Sequence, residues 1–315
     1  MVFLVISKRM KRLVAIIGPT ATGKSRLALH IARDFNAEIV SADSRQVYRY
    51  LDIGTAKSTT AEMSTVPHHL IDIIDPDEDF SLAQYQQLAS EAITDIQGRG
   101  RLPVMVGGSG LYVWAVLEGW QIPKVPPDME FRRRLERQTA EAGGERLYQE
   151  LVKVDPVAAQ EIDPRNVRRV IRALEVNHRA EVPVSTLRGK ELPPYNSLII
   201  GLTANREELH RRTDARVDDM VNRGLIDEVR RLVEMGYGFN LPAMSGIGYR
   251  QIGMYLRGEL ELPQAIEKIK VETHRFVRQQ YNWFRLKDER VHWLDIEGDV
   301  EAEAEKLVTD FIRGE

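Results

Sequence analysis

The chain has 315 residues, 43% of them hydrophobic and 29% charged, with a formal net charge of −3. That composition suits a globular protein with a sizeable core, and the length suggests two domains or one domain with a large insertion. There is no cysteine, which excludes a disulfide framework and a thiolate metal site and makes a cytoplasmic address the default expectation; the charge excludes a protein basic all over but leaves room for local basic stripes.

The chain opens with MVFLVISKRMKRLVAIIG. Its apolar runs are broken by Lys8, Arg9, Lys11 and Arg12, so they are too short to span a membrane and carry charge in the wrong place for a secretory signal. Residues 13–17 read as a buried strand behind a ragged leader. A Gly-rich loop and a helix through Ala32 follow. Residues 38–42 (EIVSA) and 69–74 (HLIDII) read as further strands. Residues 80–97 have helical periodicity, with Leu82, Tyr85, Leu88, Ala89, Ala92 and Ile96 on one side. Residues 102–108 (LPVMVGG) are another strand, ending in glycines. This alternation predicts an α/β fold: a parallel sheet with helices on both faces.

Composition then shifts. A Pro-rich break covers residues 121–128, and residues 130–179 are charged and mostly helical in pattern. A second break covers 182–196, residues 197–203 (SLIIGLT) return to a strand, and 291–296 (VHWLDI) form a late strand before a terminal helix. The expected organisation is a core over 1–122, a mainly helical insertion over 123–195, and a return to the core over 196–315.

Gly18, Pro19, Thr20, Ala21, Thr22, Gly23, Lys24 and Ser25 spell GPTATGKS, which fits G-x-x-x-x-G-K-[ST] between a strand and a helix. Backbone N–H groups of such a loop cradle phosphate oxygens. Lys24 neutralises them, and the Ser25 hydroxyl is placed to ligate Mg²⁺. Asp43 lies just past the second strand, at the carboxyl edge of the sheet where ligands bind. It serves there as a metal-linked carboxylate or general base, or else as an ordinary helix cap. Arg45 and Gln46 suit a base edge, a phosphate or plain solvent, and Lys57, in a GTAK loop, is a candidate for added positive charge near the bound phosphates. A kinase would need a second Asp after a later strand, for which LIDIID offers Asp72 and Asp75.

DSRQVYRYLDIGTAK together with GPTATGKS strongly resembles the tRNA dimethylallyltransferases, also called tRNA isopentenyltransferases. PHHLID, VGGSGLY, RRVIRALEV, GYRQ and RQQYNWFR continue the resemblance in the family's order, from about residue 13 to 286. The resemblance implies a P-loop NTPase-like fold whose helical insertion grips the tRNA anticodon arm. It implies transfer of a dimethylallyl group from dimethylallyl diphosphate to N6 of the adenosine beside the anticodon, with Mg²⁺ required. The cradle would then hold a leaving diphosphate rather than a transferred phosphate. By motif, Asp43 is the general base; Lys24 is catalytic in that its charge would stabilise the departing diphosphate. Thr20 to Ser25 bind diphosphate. Asp43, Ser44, Arg45, Gln46, Ser109, Arg132, Arg168, Arg169, Val170, Ile171 and Arg172 contact tRNA. Ser109 stands where the family more often has Thr, and the hydroxyl is kept. No role carries over to the leader.

The residues themselves offer basic stripes. Arg165, Arg168, Arg172 and Arg179 share one helical face, Arg275, Arg278 and Arg285 another, and RRRLER (132–137) adds a third cluster. Unstacked RNA bases are held by such groups, and a target base must be extruded to react. Tyr112, Trp114 and Trp120 either line a water-excluding channel or are ordinary core. His68–His69 reads as a structural turn rather than a metal pair. Arg250 either reaches the diphosphate or braces its loop. The runner-up function is a P-loop small-molecule or nucleotide kinase, which would need no RNA; a regulatory ATP-binding RNA module without chemistry is the third class.

Overall fold

The structure is a computed structural model that describes residues 11–180, 182–187, 189–190 and 194–314. The expected leader falls largely outside these residues. They divide into two compact units, one within Met1–Leu117 and Pro193–Glu315, the other within Glu118–Leu192.

The first unit begins with β1 (Lys11–Ile17), α1 (Lys24–Asp34), β2 (Ala37–Ser41), α2 (Thr60–Thr65), β3 (His68–His69), α3 (Leu82–Gly98), β4 (Leu102–Gly107) and α4 (Gly110–Leu117). The second holds β5 (Trp120–Gln121), α5 (Met129–Ala142), α6 (Gly144–Val154), α7 (Pro156–Glu161), α8 (Val167–Ala180), α9 (Val184–Leu187) and β6 (Gly189–Lys190). The chain returns through β7 (Tyr195–Thr203), α10 (Arg206–Asn222), α11 (Leu225–Glu234), a 3₁₀ turn (Ala243–Ser245), α12 (Tyr249–Leu256), α13 (Leu262–Trp283), β8 (Val291–Asp295) and α14 (Val300–Arg313).

Six strands pair in the order β3-β2-β4-β1-β7-β8, all parallel. Successive side chains of a strand point to opposite faces. Val14, Ile16, Val104, Val106, Leu198 and Ile200 pack with Leu27 and Ile31 of α1 and Val308 of α14. The intervening Leu13, Ala15, Ile17, Met105 and Ile199 are buried as well. Both faces are therefore covered, which is why these strands read as continuous apolar runs.

Three expectations need adjustment. β3 is only two residues long, because Leu70 and Asp72 take positive φ values of 64° and 55° and turn the chain out of the ladder. The buried face of α3 is Tyr85, Ala89, Ile93 and Ile96, while Leu88 is exposed. Its start follows local chemistry: the Ser81 hydroxyl accepts from Gln84 N–H, and Gln84 Oε1 accepts from Ser81 N–H. The helical unit begins near residue 118 rather than 123, because β5 and β6 pair antiparallel at its base, Trp120 with Lys190 and Gln121 with Gly189.

The helical unit has its own core, built from Leu135, Leu147, Leu151, Val170, Ile171 and Leu174. A fully buried carboxylate, Glu175, sits beside it. It accepts from Asp128 N–H at 2.6 Å, from Arg132 at 2.8 and 2.9 Å, and from Arg172. Among the described residues no helix is long and apolar enough to cross a membrane.

Candidate functional site

β1 ends at Ile17, and the loop begins at Gly18 with φ 135°, where a Cβ would stand 2.3 Å from the Leu202 carbonyl oxygen. Only glycine fits that turn. The loop closes on itself through the Pro19 carbonyl, which accepts from the Thr22 hydroxyl at 2.9 Å and from Lys24 Nζ at 2.6 Å. Gly23 precedes α1 in a left-handed conformation and no side chain caps the helix, so the first amides of α1 are left to a ligand.

Thr20, Lys24 and Ser25 line a cavity of about 370 Å³. Asp43, Ser44, Arg45, Gln46 and Ser109 line the same cavity. The structure thus brings together the P-loop, the DSRQ segment and the VGGSG segment, which lie far apart in the chain. Ile39, Val106, Val217, Met220, Ile269 and Phe276 give the wall an apolar stretch.

Asp43 caps a turn rather than a helix. Its Oδ1 accepts from the N–H groups of Arg45 (2.8 Å) and Gln46 (3.4 Å), holding a turn. Among the described residues its second oxygen has no partner. Ser109 braces this turn from both sides, its N–H donating to Ala42 O at 3.3 Å and its hydroxyl accepting from Ser44 N–H at 3.1 Å. The Gln46 amide donates to Thr55 O and Ala56 O and accepts from the Ser41 hydroxyl. Arg45 reaches across to donate to Pro242 O at 2.5 Å and to the Ser245 hydroxyl at 3.2 Å, so its guanidinium is already engaged.

Arg216, Gln280 and His68 are among the cavity residues that the predicted site did not include. Arg216, on α10, has its pKa lowered by burial, against the opposing pull of Asp43. Among the described residues it forms no hydrogen bond or ion pair. Burial is also the main cause that brings the Lys24 pKa down to about 7; Arg216 pushes it the same way and Asp43 opposes. The site is therefore short of anions, with three cationic side chains, Lys24, Arg45 and Arg216, set against the single carboxylate of Asp43. Gln280, on α13, accepts from Thr20 N–H at 2.9 Å and donates to Gly108 O at 3.0 Å. That occupies the Thr20 amide and leaves Thr20 its hydroxyl. His68 also lines the cavity. Its Nδ1 donates to Val66 O at 2.7 Å, and burial lowers its pKa, so the neutral ring keeps Nε2 as an acceptor.

The available signals were faint. Arg216 sits in TDARVDDM, where neighbouring acids make it read as a surface cation; only its place beside the buried stripe Leu209, Thr213, Val217 and Met220 sets it apart. Gln280 is a polar residue in step with buried Val277 and Phe284.

Other expectations are corrected. Lys57 is buried and does not line the cavity, donating to Tyr48 O, Asp52 and Asp72. Asp72 is thereby held by Lys57 and Asp75 by Arg49, and neither lines the cavity, so the second carboxylate a kinase would need there is not supplied by them. His69 pairs with buried Glu38, and Arg250 with Glu272. Tyr112 stacks on Tyr85 at 3.8 Å, the Trp114 indole donates to Trp283 O, and Trp120 bonds Glu118; these aromatics pack within the protein rather than on the cavity wall.

In the helical unit, Val170 and Ile171 are core residues, so their side chains have no path to RNA. Arg132 and Arg172 are held by Glu175, Arg165 by Asp163 and Arg179 by Asp128. Arg168 and Arg169 are exposed, and among the described residues their guanidinium groups have no partner. Arg275, Arg278 and Arg285 are exposed on or just after α13, opposite buried Val277 and Gln280.

A P-loop and a carboxylate on one partly apolar cavity narrow the chemistry, and comparison with known proteins narrows the lineage. The family model described as IPP transferase matches residues 46–287. A tRNA dimethylallyltransferase of Roseiflexus castenholzii is 57% identical over 273 residues, covering 87% of this chain and 89% of that protein. The crystal structure of a tRNA isopentenylpyrophosphate transferase from Bacillus halodurans superposes with a TM-score of 0.71 at 44% identity, covering 96% of each chain. A eukaryotic dimethylallyltransferase acting on tRNA gives a TM-score of 0.80 at 26% identity, covering 96% of this chain and 80% of that one. Sharing sequence along most of its length as well as the same fold, this chain belongs to the tRNA dimethylallyltransferase (IPP transferase) family.

Proposed function

We propose that this protein transfers a dimethylallyl group from dimethylallyl diphosphate to N6 of the adenosine beside the anticodon of tRNA, releasing diphosphate. The observation that carries the reading is the shared cavity: a phosphate loop, an unpaired arginine and a half-free carboxylate surround a space with an apolar wall.

The adenine N6 lone pair is delocalised into the ring and is a poor nucleophile. As N6 bonds to the allylic carbon, the bond from that carbon to the diphosphate oxygen breaks and a proton must leave N6. The second oxygen of Asp43 accepts it. Lys24, Arg216 and the open amides at the start of α1 stabilise the charge gathering on the departing diphosphate. Mg²⁺ fits the donor present, because the Ser25 hydroxyl lies on the cavity with no partner among the described residues; when bound, the ion supplies further positive charge to the leaving group. The apolar wall excludes water, which would otherwise compete for the allylic carbon. Arg168 and Arg169 and the α13 arginines supply cations for the RNA backbone. A cytoplasmic setting, where tRNA is found, accords with this reading.

The test is incubation with unmodified tRNA, Mg²⁺ and either labelled dimethylallyl diphosphate or labelled ATP. The expected result is prenyl label in the tRNA, with Asp43→Ala still binding tRNA but turning over at least ~10²-fold more slowly. Label passing from ATP to a small molecule would instead mark a kinase. A near-normal rate in Asp43→Ala would remove the base assignment.

A further inference from the structure

We infer that Gln280 is a positioning residue that fixes the spacing between the diphosphate cradle and Asp43; the inference rests on the proposed prenyl transfer. β1 and β4 pair in parallel as far as Ile17 opposite Gly107. Beyond that rung the chains part: Gly18 turns into the phosphate loop, and β4 runs into Gly108 and Ser109. The sheet offers no further backbone bond to hold the two loops together.

The Gln280 side chain replaces it. A primary amide carries the same C=O and N–H groups as a peptide unit. Here Oε1 accepts from Thr20 N–H at 2.9 Å and Nε2 donates to Gly108 O at 3.0 Å. The partners fix the amide's orientation, since one is a donor and the other an acceptor. The residue is only 3% exposed, so these bonds work with little competition from water.

From Gly108 the linkage continues to the carboxylate. Ser109 bonds the residues on either side of Asp43, its N–H to Ala42 O and its hydroxyl from Ser44 N–H. The path from Thr20 through Gln280, Gly108 and Ser109 to Asp43 therefore joins the group that holds the leaving diphosphate to the group that takes the proton. Attack on an allylic carbon depends on that distance, and a misplacement of about 1 Å can cost ~10²-fold in rate. Gly108 completes the arrangement: a Cβ there would stand 2.4 Å from Gln280 Nε2, while its next neighbour, Gly18 O, lies at an ordinary 3.5 Å. A side chain at 108 would thus displace the amide before anything else.

The experiment is a double-mutant cycle on the full chain, measured by steady-state kinetics with unmodified tRNA and dimethylallyl diphosphate. Gln280→Ala and Gly108→Ala should each lower kcat roughly 10- to 100-fold with KM for either substrate within about threefold. Gly108→Ala should cost little more in the Gln280→Ala background, because the amide it displaces is gone. Gly108→Ala tests the idea by itself should Gln280→Ala fail to fold. Additive losses, or KM rising with kcat unchanged, overturn the role of Gln280 while the wild type remains an active transferase. A wild type that moves no prenyl label overturns the function reading and this inference with it.

Discussion

Lys24 carries a pKa near 7 because it stands among protein atoms beside Arg216, with Asp43 only partly compensating. An amine in that state gains a proton when a diphosphate arrives, since the anion favours the charged form. The sign follows directly. Below about pH 7 the amine is charged before binding and affinity does not change with its titration. Above about 7 it must take up a proton to bind, so affinity falls as pH rises. Calorimetric titration with diphosphate in buffers of different ionisation enthalpy should show net proton uptake near pH 8 in the wild type and a smaller uptake in Lys24→Met. Uptake that is the same in both would count against the assignment. At this scale the sequence was informative about Lys24, Ser25 and Asp43, because motif and strand-end position name them. It said little of Arg216, whose charge is ordinary in a helix rich in Asp until the fold turns it toward a cavity.

Single elements carry more than one task. The inner face of α13 presents Val277 and Gln280 to the core and the phosphate loop, and its outer face presents Arg275 and Arg278 to solvent. Helical periodicity predicts such a division, because residues three and four apart share a face. α8 shows where periodicity misleads. Val170 and Ile171, which the family resemblance assigns to tRNA contact, are packed in the core of the helical unit. The arginines of α8 read as one basic face, yet Arg172 turns to Glu175, a carboxylate on the buried side of the same helix. Sequence counted charges but could not pair them. Removing Glu175 leaves Arg132, Arg172 and the Asp128 amide without their acceptor. Breaking a buried ion pair typically costs ~3–5 kcal/mol, and the arginines here reach solvent, so Glu175→Ala should destabilise the helical unit by about 3 kcal/mol. Denaturant unfolding followed by a probe in residues 118–192 measures it; a loss under about 0.5 kcal/mol, typical of a surface change, would contradict a stabilising role for the Glu175 carboxylate.

Across the whole molecule, exposed cations occur on both units: Arg168 and Arg169 on the helical unit, Arg275 and Arg278 on the sheet unit. A net charge of −3 hides them. If they meet RNA phosphates, tRNA affinity falls linearly with log salt, with roughly 0.7–0.9 of slope per phosphate contact. The double variant Arg168→Ala/Arg169→Ala should flatten that slope by about 1–2 and leave the affinity for dimethylallyl diphosphate unchanged. Filter binding across a salt series measures it, and an unchanged slope would remove these two residues from the RNA surface.

The sequence alone determined the strand–loop–helix at the phosphate cradle, the parallel sheet and the helical insertion. These follow from local rules: side-chain period, glycine where φ must be positive, apolar runs where both faces are covered. Only the tertiary structure decided which charges are free and which are spent. Lys57, Arg132 and Arg172 are consumed by carboxylates, Arg216 is left facing the cavity, and Gln280 spans two loops more than 170 residues away from it in the chain. Pairing of that kind depends on distance through space, and local pattern carries no record of it.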